Sequence, residues 1–248
     1  MNNKKTPNAS QEPPRIFEES VSFNHGASSY LAKNFVANVF SWMTIGLLLT
    51  AFVAGYSASS GLYLQLVGAG GIMSWVILLA PFAFIIAMNT GLQKYSATTL
   101  TILFLAFSAT MGISLGSVFL MYSIGSISQV FVITAGTFAV MAFVGYTTTM
   151  DLSKFGSLLF MALIGIIIAS IVNWFMQSGM LDFIISIVGV LVFTGLVAYD
   201  TQRIKRIGAG VEYGSAGATK LAILAAVSLY LNFVNLFLFL LRLLGDRR

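Results

Sequence analysis

Asp200 is the residue of this sequence best placed to do chemistry. It ends the apolar run Leu181–Tyr199, inside the stretch GVLVFTGLVAYDTQRIKR. A carboxylate at or just within a bilayer boundary is costly unless it is paired or hydrated, and such residues commonly serve as ion sites or proton relays. A second interpretation is that Asp200 lies among the lipid headgroups and only pairs with Arg203, one turn later. Position alone does not separate the two interpretations.

Two asparagines on the last apolar run could face the same neighbouring helix. Asn232 and Asn235 lie three residues apart in LYLNFVNLFLFLLRLL. They either hydrogen-bond between helices or line a hydrated cavity opposite Asp200. Asn232 lies about 16 Å beyond Leu221 at helical rise, whereas Asp200 is near a boundary. The two meet only if the sixth helix extends through Arg203 towards Arg206, or if the last helix is displaced or tilted.

The composition is that of an integral membrane protein. Hydrophobic residues make up 58% of the chain and charged residues 8%, with a mean hydropathy of +0.91, whereas soluble domains carry about 25% charged residues. The chain has no cysteine and one histidine, His25, in the N-terminal tail. These absences exclude thiol nucleophiles and intramembrane histidine bases, and a single candidate aspartate excludes the paired aspartates of an intramembrane aspartyl protease. We therefore predict no enzymatic activity, and the net charge of +5 needs no nucleic-acid partner.

Apolar runs of about 20 residues are long enough to cross a bilayer as helices. We predict an all-α polytopic membrane protein in which residues 31–248 form a single seven-helix domain, after a disordered polar tail over residues 1–30. The seven predicted spans are Phe35–Tyr56, Ile72–Met88, Thr98–Tyr122, Ile127–Gly145, Phe155–Phe175, Leu181–Tyr199 and Leu221–Leu241.

Basic residues predict the orientation of these spans. Lys33 precedes the first span, and Lys94 and Lys154 lie in the second and fourth loops. The sixth loop contains the basic cluster from Arg203 to Lys220, and the odd-numbered loops contain no Lys or Arg. This alternation predicts a cytoplasmic N-terminus, and the short loops favour a bacterial cytoplasmic membrane. The basic tail after the last span conflicts with seven full crossings, so a re-entrant last segment is the alternative.

Three stretches of the chain resemble the Bax inhibitor family of transmembrane Bax inhibitor motif proteins. They are ITAGTFAVMAFVGYTTTMDLSKFGSLLFMALIGIIIASIVN (residues 133–173), GVLVFTGLVAYDTQRIKR (189–206) and VSLYLNFVNLFLFLLRLLG (227–245). Weaker similarity in the first and third spans extends the resemblance to nearly the whole chain after the tail. The order, spacing and charged junctions of these stretches all agree with the family pattern.

The resemblance implies seven helices with the last one central, and a pH-sensitive calcium leak through the membrane. In the family, an aspartate on the sixth helix and one on the seventh share a proton, and an arginine near the third helix pairs with them as a latch. Asp200 matches the sixth-helix aspartate, and Lys94 matches the latch arginine loosely. Asn232 replaces the second aspartate of the usual LYLDFINLF pattern. Family members are also associated with suppression of cell death and with membrane proteolysis.

This departure changes the expected chemistry of the site. Asp200 alone would supply the carboxylate for calcium, with Asn232 beside it and with Asn235 and Arg203 as supporting polar residues. Since calcium favours several oxygen ligands including carboxylates, we expect weak calcium binding and a flatter pH response than in two-aspartate relatives. The expected partners are the lipid bilayer and calcium or another cation, with no further cofactor. The alternative function is a non-conducting regulator that binds other membrane proteins, such as a quality-control protease.

Overall fold

The computed structural model describes residues 15–68, 70–211 and 214–247, with side chains from residue 31 onward. Eight α-helices and one π-helical turn account for nearly all of this part of the chain. They are α1 (Arg15–Ser59), the π-helical turn (Leu64–Gly68), α2 (Ile72–Thr90), α3 (Ala97–Ser114), α4 (Gly116–Met121), α5 (Ile124–Thr147), α6 (Ser153–Met176), α7 (Gly179–Ala209) and α8 (Ala216–Leu244).

Seven stretches of helix are long and apolar enough to cross a membrane, which confirms the predicted all-α polytopic fold. The third span, Ala97–Met121, consists of α3 and α4, which are separated at Leu115. The predicted disordered tail differs from the structure in part. Helix α1 begins at Arg15, so residues 15–30 continue the first span towards the N-terminus, while residues 1–14 lie outside the described part of the chain.

Serine residues determine where four of the helices begin. Each lies just before the first helical residue, and its hydroxyl accepts a hydrogen bond from the backbone N–H three residues later. This side-chain cap pairs one of the N–H groups that the start of a helix leaves without a partner. An N–H group without a partner is costly next to a membrane. The four caps are Ser96 before α3, Ser123 before α5, Ser178 before α7 and Ser215 before α8.

The last span, α8, is the central helix of the bundle. It packs against α1, α2, α3, α5 and α7, whereas α6 packs chiefly against α7. In its most apolar stretch 61% of the residues are buried, compared with 11% for α6. The buried side chains of α8 include Ala222, Ala226 and Tyr230, at four-residue spacing along one face. An apolar helix in this position is covered mostly by protein rather than by lipid.

Glycine residues allow close approach of neighbouring helices at two places. A Cβ atom at Gly112 would lie 2.8 Å from the carbonyl oxygen of Thr50, so α3 packs directly against the backbone of α1. A Cβ atom at Gly145 would clash with the carbonyl oxygen of Ala198, so α5 touches the backbone of α7 two residues before Asp200. Small residues at helix contacts replace side-chain interdigitation with backbone packing.

Helix α8 runs without a break from Ala216 to Leu244, which excludes the re-entrant alternative. The residues after α8 lie against the connection between α4 and α5. The backbone N–H of Asp246 donates to Ser126 Oγ at 3.0 Å, and Arg247 Nε donates to the hydroxyl of Tyr122 at 3.3 Å. The basic tail therefore lies at the end of the bundle opposite to Lys220, and local partners hold it there.

Candidate functional site

The carboxylate of Asp200 accepts two hydrogen bonds from α8. Ser228 Oγ donates to Asp200 Oδ2 at 2.7 Å, and Asn232 Nδ2 donates to the same oxygen at 2.8 Å. The side chains of Asp200 and Asn232 are buried, with exposed fractions of 7% and 6%. The sixth helix does extend past Arg206, to Ala209, and Asp200 and Asn232 are in contact. Ser228 is a third member of the site, which the sequence did not single out.

The spacing along α8 explains why Ser228 and Asn232 act together. They are four residues apart, so they lie one above the other on the same face of the helix. Asn235 is three residues further on, but its Nδ2 donates to the carbonyl of Leu231 at 2.8 Å. Its side chain lines a groove beside α6 and does not reach Asp200. The spacing that indicates the third member of the site is therefore the four residues from Ser228 to Asn232, and not the three residues from Asn232 to Asn235.

A cavity of about 370 Å³ lies between α2, α7 and α8, beside Asp200; we call it the Asp200 cavity. Its polar lining includes Asp200, Ser228, Arg203 and Asn89. Both protein hydrogen bonds go to Oδ2, and no buried polar side-chain atom in the described residues is sealed without a partner. The second oxygen, Oδ1, therefore reaches the cavity, where water or a cation can contact it.

The sixth span extends ten residues beyond its predicted end at Tyr199, and this extension places Asp200 inside the bundle. Helix α7 continues to Ala209, so Asp200 lies about 14 Å before the end of the helix. The sequence TQRIKR continues as helix because most of its polar side chains have partners. Lys205 Nζ, for example, donates to the carbonyl of Tyr146 at 2.8 Å, at the end of α5. A cation at that position stabilises the free carbonyls of a helix C-terminus.

Gln202 and Arg206 attach the end of α7 to the connection between α5 and α6. Gln202 Oε1 accepts from the backbone N–H of Leu152 at 2.9 Å, and Gln202 Nε2 donates to the carbonyl of Met150 at 2.8 Å. Arg206 pairs with Asp151 at 2.5 Å.

Arg206 also makes two further side-chain hydrogen bonds in this group. It donates to Gln202 Oε1 and, at 2.6 Å, to Ser153 Oγ. We call Gln202, Arg206, Asp151 and Ser153 the α7 clamp. The backbone N–H of Ser153 and the guanidinium of Arg206 hold the pKa of Asp151 below its ordinary value, which keeps this carboxylate ionised. The clamp fixes the helix two residues after Asp200.

The remaining predicted site residues occupy different places. Arg203 lines the Asp200 cavity and is exposed, but no ion pair joins it to Asp200 among the described residues. Lys94 is exposed in the connection between α2 and α3, and the described contacts do not bring its side chain to Asp200. The cation that the structure places in the cavity is therefore Arg203, on the same helix as Asp200.

An apolar segment of α8 lies beyond Asn232. Leu236, Phe239, Leu240 and Leu241 are all buried, with exposed fractions of 8% or less. These side chains belong to a second core cluster that extends to the opposite end of the bundle. The polar cavity at Asp200 is thus separated from the other side of the bundle by a packed apolar layer.

The model of the family described as inhibitor of apoptosis-promoting Bax1 matches residues 32–248 of this chain. The chain belongs to the Bax inhibitor family. The match covers all seven spans, including Asp200 and Asn232, so the site described above lies within the region that the family model matches. This confirms the resemblance that the sequence suggested.

Bacterial relatives support the same assignment. The inner membrane protein YbhL of Escherichia coli strain K12 is 45% identical over 217 residues, which cover 87% of this chain and 93% of that protein. An uncharacterized protein of Borreliella burgdorferi is 47% identical over 220 residues, with 88% and 94% covered. An uncharacterized membrane protein of Streptococcus pyogenes serotype M1 is 35% identical over 214 residues, with 85% and 92% covered.

Proposed function

We propose that this protein conducts a pH-sensitive leak of cations, with calcium the expected ion, along a path gated at Asp200. The observation that carries the proposal is the Asp200 carboxylate, which is buried among helices yet has one oxygen facing a cavity of about 370 Å³. A buried acid that contacts a hydrated cavity in a membrane protein is typical of ion and proton pathways. The proposal includes no enzymatic reaction.

In this proposal the structure corresponds to a closed state. Within the described residues, the apolar layer of Leu236, Phe239 and Leu240 lies between the Asp200 cavity and the other side of the bundle. Opening would require α8 to move relative to α7, because these residues lie on α8 and pack against α7. Since Ser228 and Asn232 join the same two helices through Asp200, their hydrogen bonds would stabilise the closed arrangement.

Asn232 determines how this site would differ from a two-aspartate site. Its amide donates to Asp200 but cannot share a proton between two acids. A calcium ion here would meet one carboxylate and neutral oxygens from Ser228 and Asn232, which are weaker ligands than a second carboxylate. The proposed leak therefore has low calcium affinity and a shallow pH dependence near neutrality.

The proposed setting is a bacterial inner membrane, with the N-terminus in the cytoplasm. The basic residues of the even-numbered loops lie at one end of the bundle. Lys205 contacts the end of α5 and Lys220 donates to the carbonyl of Leu92 at 3.4 Å. A concentration of Lys and Arg at one end favours its retention in the cytoplasm. The Asp200 cavity would then open towards the cytoplasm.

Calcium flux into proteoliposomes, measured at several pH values, tests the proposal. We expect Asp200→Asn to reduce the flux at least tenfold and Asn232→Asp to make it steeper in pH. Asp246→Asn is a matched control, since this exposed residue of the tail lies outside the Asp200 cavity. Equal flux in the wild-type protein, the Asp200→Asn variant and empty vesicles, with folded protein confirmed, would refute conduction through Asp200.

One observation favours the alternative function, a regulator that binds other membrane proteins. Helix α6 packs chiefly against α7, and only Gly156 and Ile166 of its 24 residues are buried. Its outer face is available to lipid or to a partner helix such as one from a membrane protease. A regulator would tolerate Asp200→Asn but lose its partner after substitutions on α6. Co-purification of membrane partners with variants of each kind separates the two functions.

A further inference from the structure

A second polar cavity lies at the end of the bundle opposite to Asp200. Its volume is about 400 Å³, and it lies between α4, α6, α7 and α8; we call it the Arg242 cavity. The charged residues that line it, within the described part of the chain, are Asp182, Arg242 and Arg247. Tyr122 and Asn173 add uncharged polar groups. The formal charge of the described lining is therefore +1, which suits an anion.

The two arginines keep most of their hydrogen-bond donors for a ligand. Arg242 Nη1 lies 3.5 Å from Asp182 Oδ1, and Arg247 Nε donates to the hydroxyl of Tyr122 at 3.3 Å. A guanidinium has five N–H donors, so each of these contacts uses only a small part of the group. Guanidinium groups bind phosphate oxygens through paired, charge-assisted hydrogen bonds. Two of them at one cavity make a candidate phosphate site.

An apolar groove adjoins this cavity and extends towards the middle of the membrane. The cavity and the groove share Ser170 and Arg242. The groove runs along α6 from Trp174 to Leu163, a length of about 16 Å at helical rise. Half of the hydrocarbon core of a bilayer measures about 15 Å. The apolar lining of the groove consists of Leu163, Ile166, Ile167, Ile171, Trp174, Phe193 and Phe239.

We propose that the Arg242 cavity and this groove together bind one anionic phospholipid. The phosphodiester lies between Arg242 and Arg247, and one acyl chain follows the groove along α6. The charge of the lining favours a phosphodiester over free phosphate. The single negative charge of a diester neutralises the lining, whereas the two negative charges of a phosphate dianion would leave excess negative charge beside Asp182. The exposed side chain of Trp174 is typical of the headgroup level of a membrane. This site is independent of conduction through Asp200.

Native mass spectrometry of the full-length protein in detergent tests the site, with phosphatidylglycerol, phosphatidylcholine and inorganic phosphate as probes. We expect one phosphatidylglycerol to bind at least tenfold more tightly than phosphatidylcholine. The double variant Arg242→Gln with Arg247→Gln is expected to lose this preference. Lys33→Gln with Lys154→Gln is the matched control, since it removes the same charge from exposed residues outside the cavity and the groove.

Equal binding of the two lipids, or displacement of phosphatidylglycerol by millimolar inorganic phosphate, would overturn the proposal. A photoreactive phosphatidylglycerol on the wild-type protein keeps the test decisive if the double variant fails to fold. Crosslinks within residues 163–174 of α6 and 239–247 of α8 and the tail would support the site. Crosslinks spread evenly over the helices would refute it.

Discussion

Gln202 is predicted to contribute substantially to stability, because its side chain joins α7 to a loop rather than to another helix. The side chain has an exposed fraction of 7%. It accepts from the backbone N–H of Leu152 at 2.9 Å and donates to the carbonyl of Met150 at 2.8 Å. Substitution by alanine removes these two bonds and leaves both backbone groups without their partner, and it also removes the acceptor of one Arg206 hydrogen bond.

The expected loss follows from these two bonds. A neutral hydrogen bond contributes about 1 kcal/mol net, and the loss is greater where the remaining partner stays unpaired. Leu152 is only half-buried and Met150 is exposed, so water can replace part of what is lost. Arg206 keeps its bonds to Asp151 and Ser153. We therefore expect Gln202→Ala to lower the free energy of unfolding by about 2 kcal/mol, or about thirtyfold in the equilibrium constant.

Reversible unfolding of the purified protein in mixed micelles, titrated with a denaturing detergent, measures this loss. Gln202→Met separates hydrogen bonding from packing, because it keeps the length of the side chain and removes its polar atoms. Gln93→Ala is the matched control, since Gln93 is exposed in the connection between α2 and α3. A loss below about 0.5 kcal/mol for Gln202→Ala, equal to that of Gln93→Ala, would show that water replaces the clamp without cost.

Two further predictions concern packing and pH. Gly189→Ala should destabilise the protein by about 1–3 kcal/mol, because the new Cβ atom would lie 2.7 Å from the ring of Phe239. Gly165→Ala is the control and should not destabilise the protein, because no atom lies within 4 Å of its Cβ position. Equal unfolding midpoints for the two variants would contradict this prediction. The depressed pKa of Asp151 predicts that the hydrogen bonds it accepts from Ser153 and Arg206 stabilise the protein above the ordinary value of 3.8, and that this stabilisation is lost as pH falls below it. Asp151→Asn should therefore approach wild-type stability in acid, and a difference independent of pH would refute the pairing.

Hydropathy predicted the seven spans because each apolar run is close to the length that a helix needs to cross the hydrocarbon core. It placed the end of the sixth span at Tyr199, ten residues too early, because TQRIKR is too polar for a lipid-facing helix. The structure continues the helix there because Gln202 and Arg206 bind the connection between α5 and α6, and Lys205 binds the end of α5. Such partners are distant in sequence, so a hydropathy pattern cannot reveal them.

The candidate site was partly predictable for a similar reason. Asp200 and Asn232 stand out as polar residues in apolar runs, and the structure brings them into contact. Ser228 did not stand out, since serine is common in membrane helices and its role depends on which face of α8 meets α7. The family resemblance matches Lys94 to the latch arginine only loosely, and an exposed side chain in a short loop has no spacing that fixes where it points.

The central position of α8 has a consequence for biosynthesis. This helix follows the other six spans in the chain, so they enter the membrane before their common core exists. Both side chains that donate to Asp200 belong to α8. Until that helix inserts, the carboxylate lacks these two donors at membrane depth, and the nascent bundle carries an unsatisfied acid. Insertion of α8 fills the core and satisfies the acid in one step, so a chain truncated before this helix would present a marker of incomplete assembly to membrane quality control.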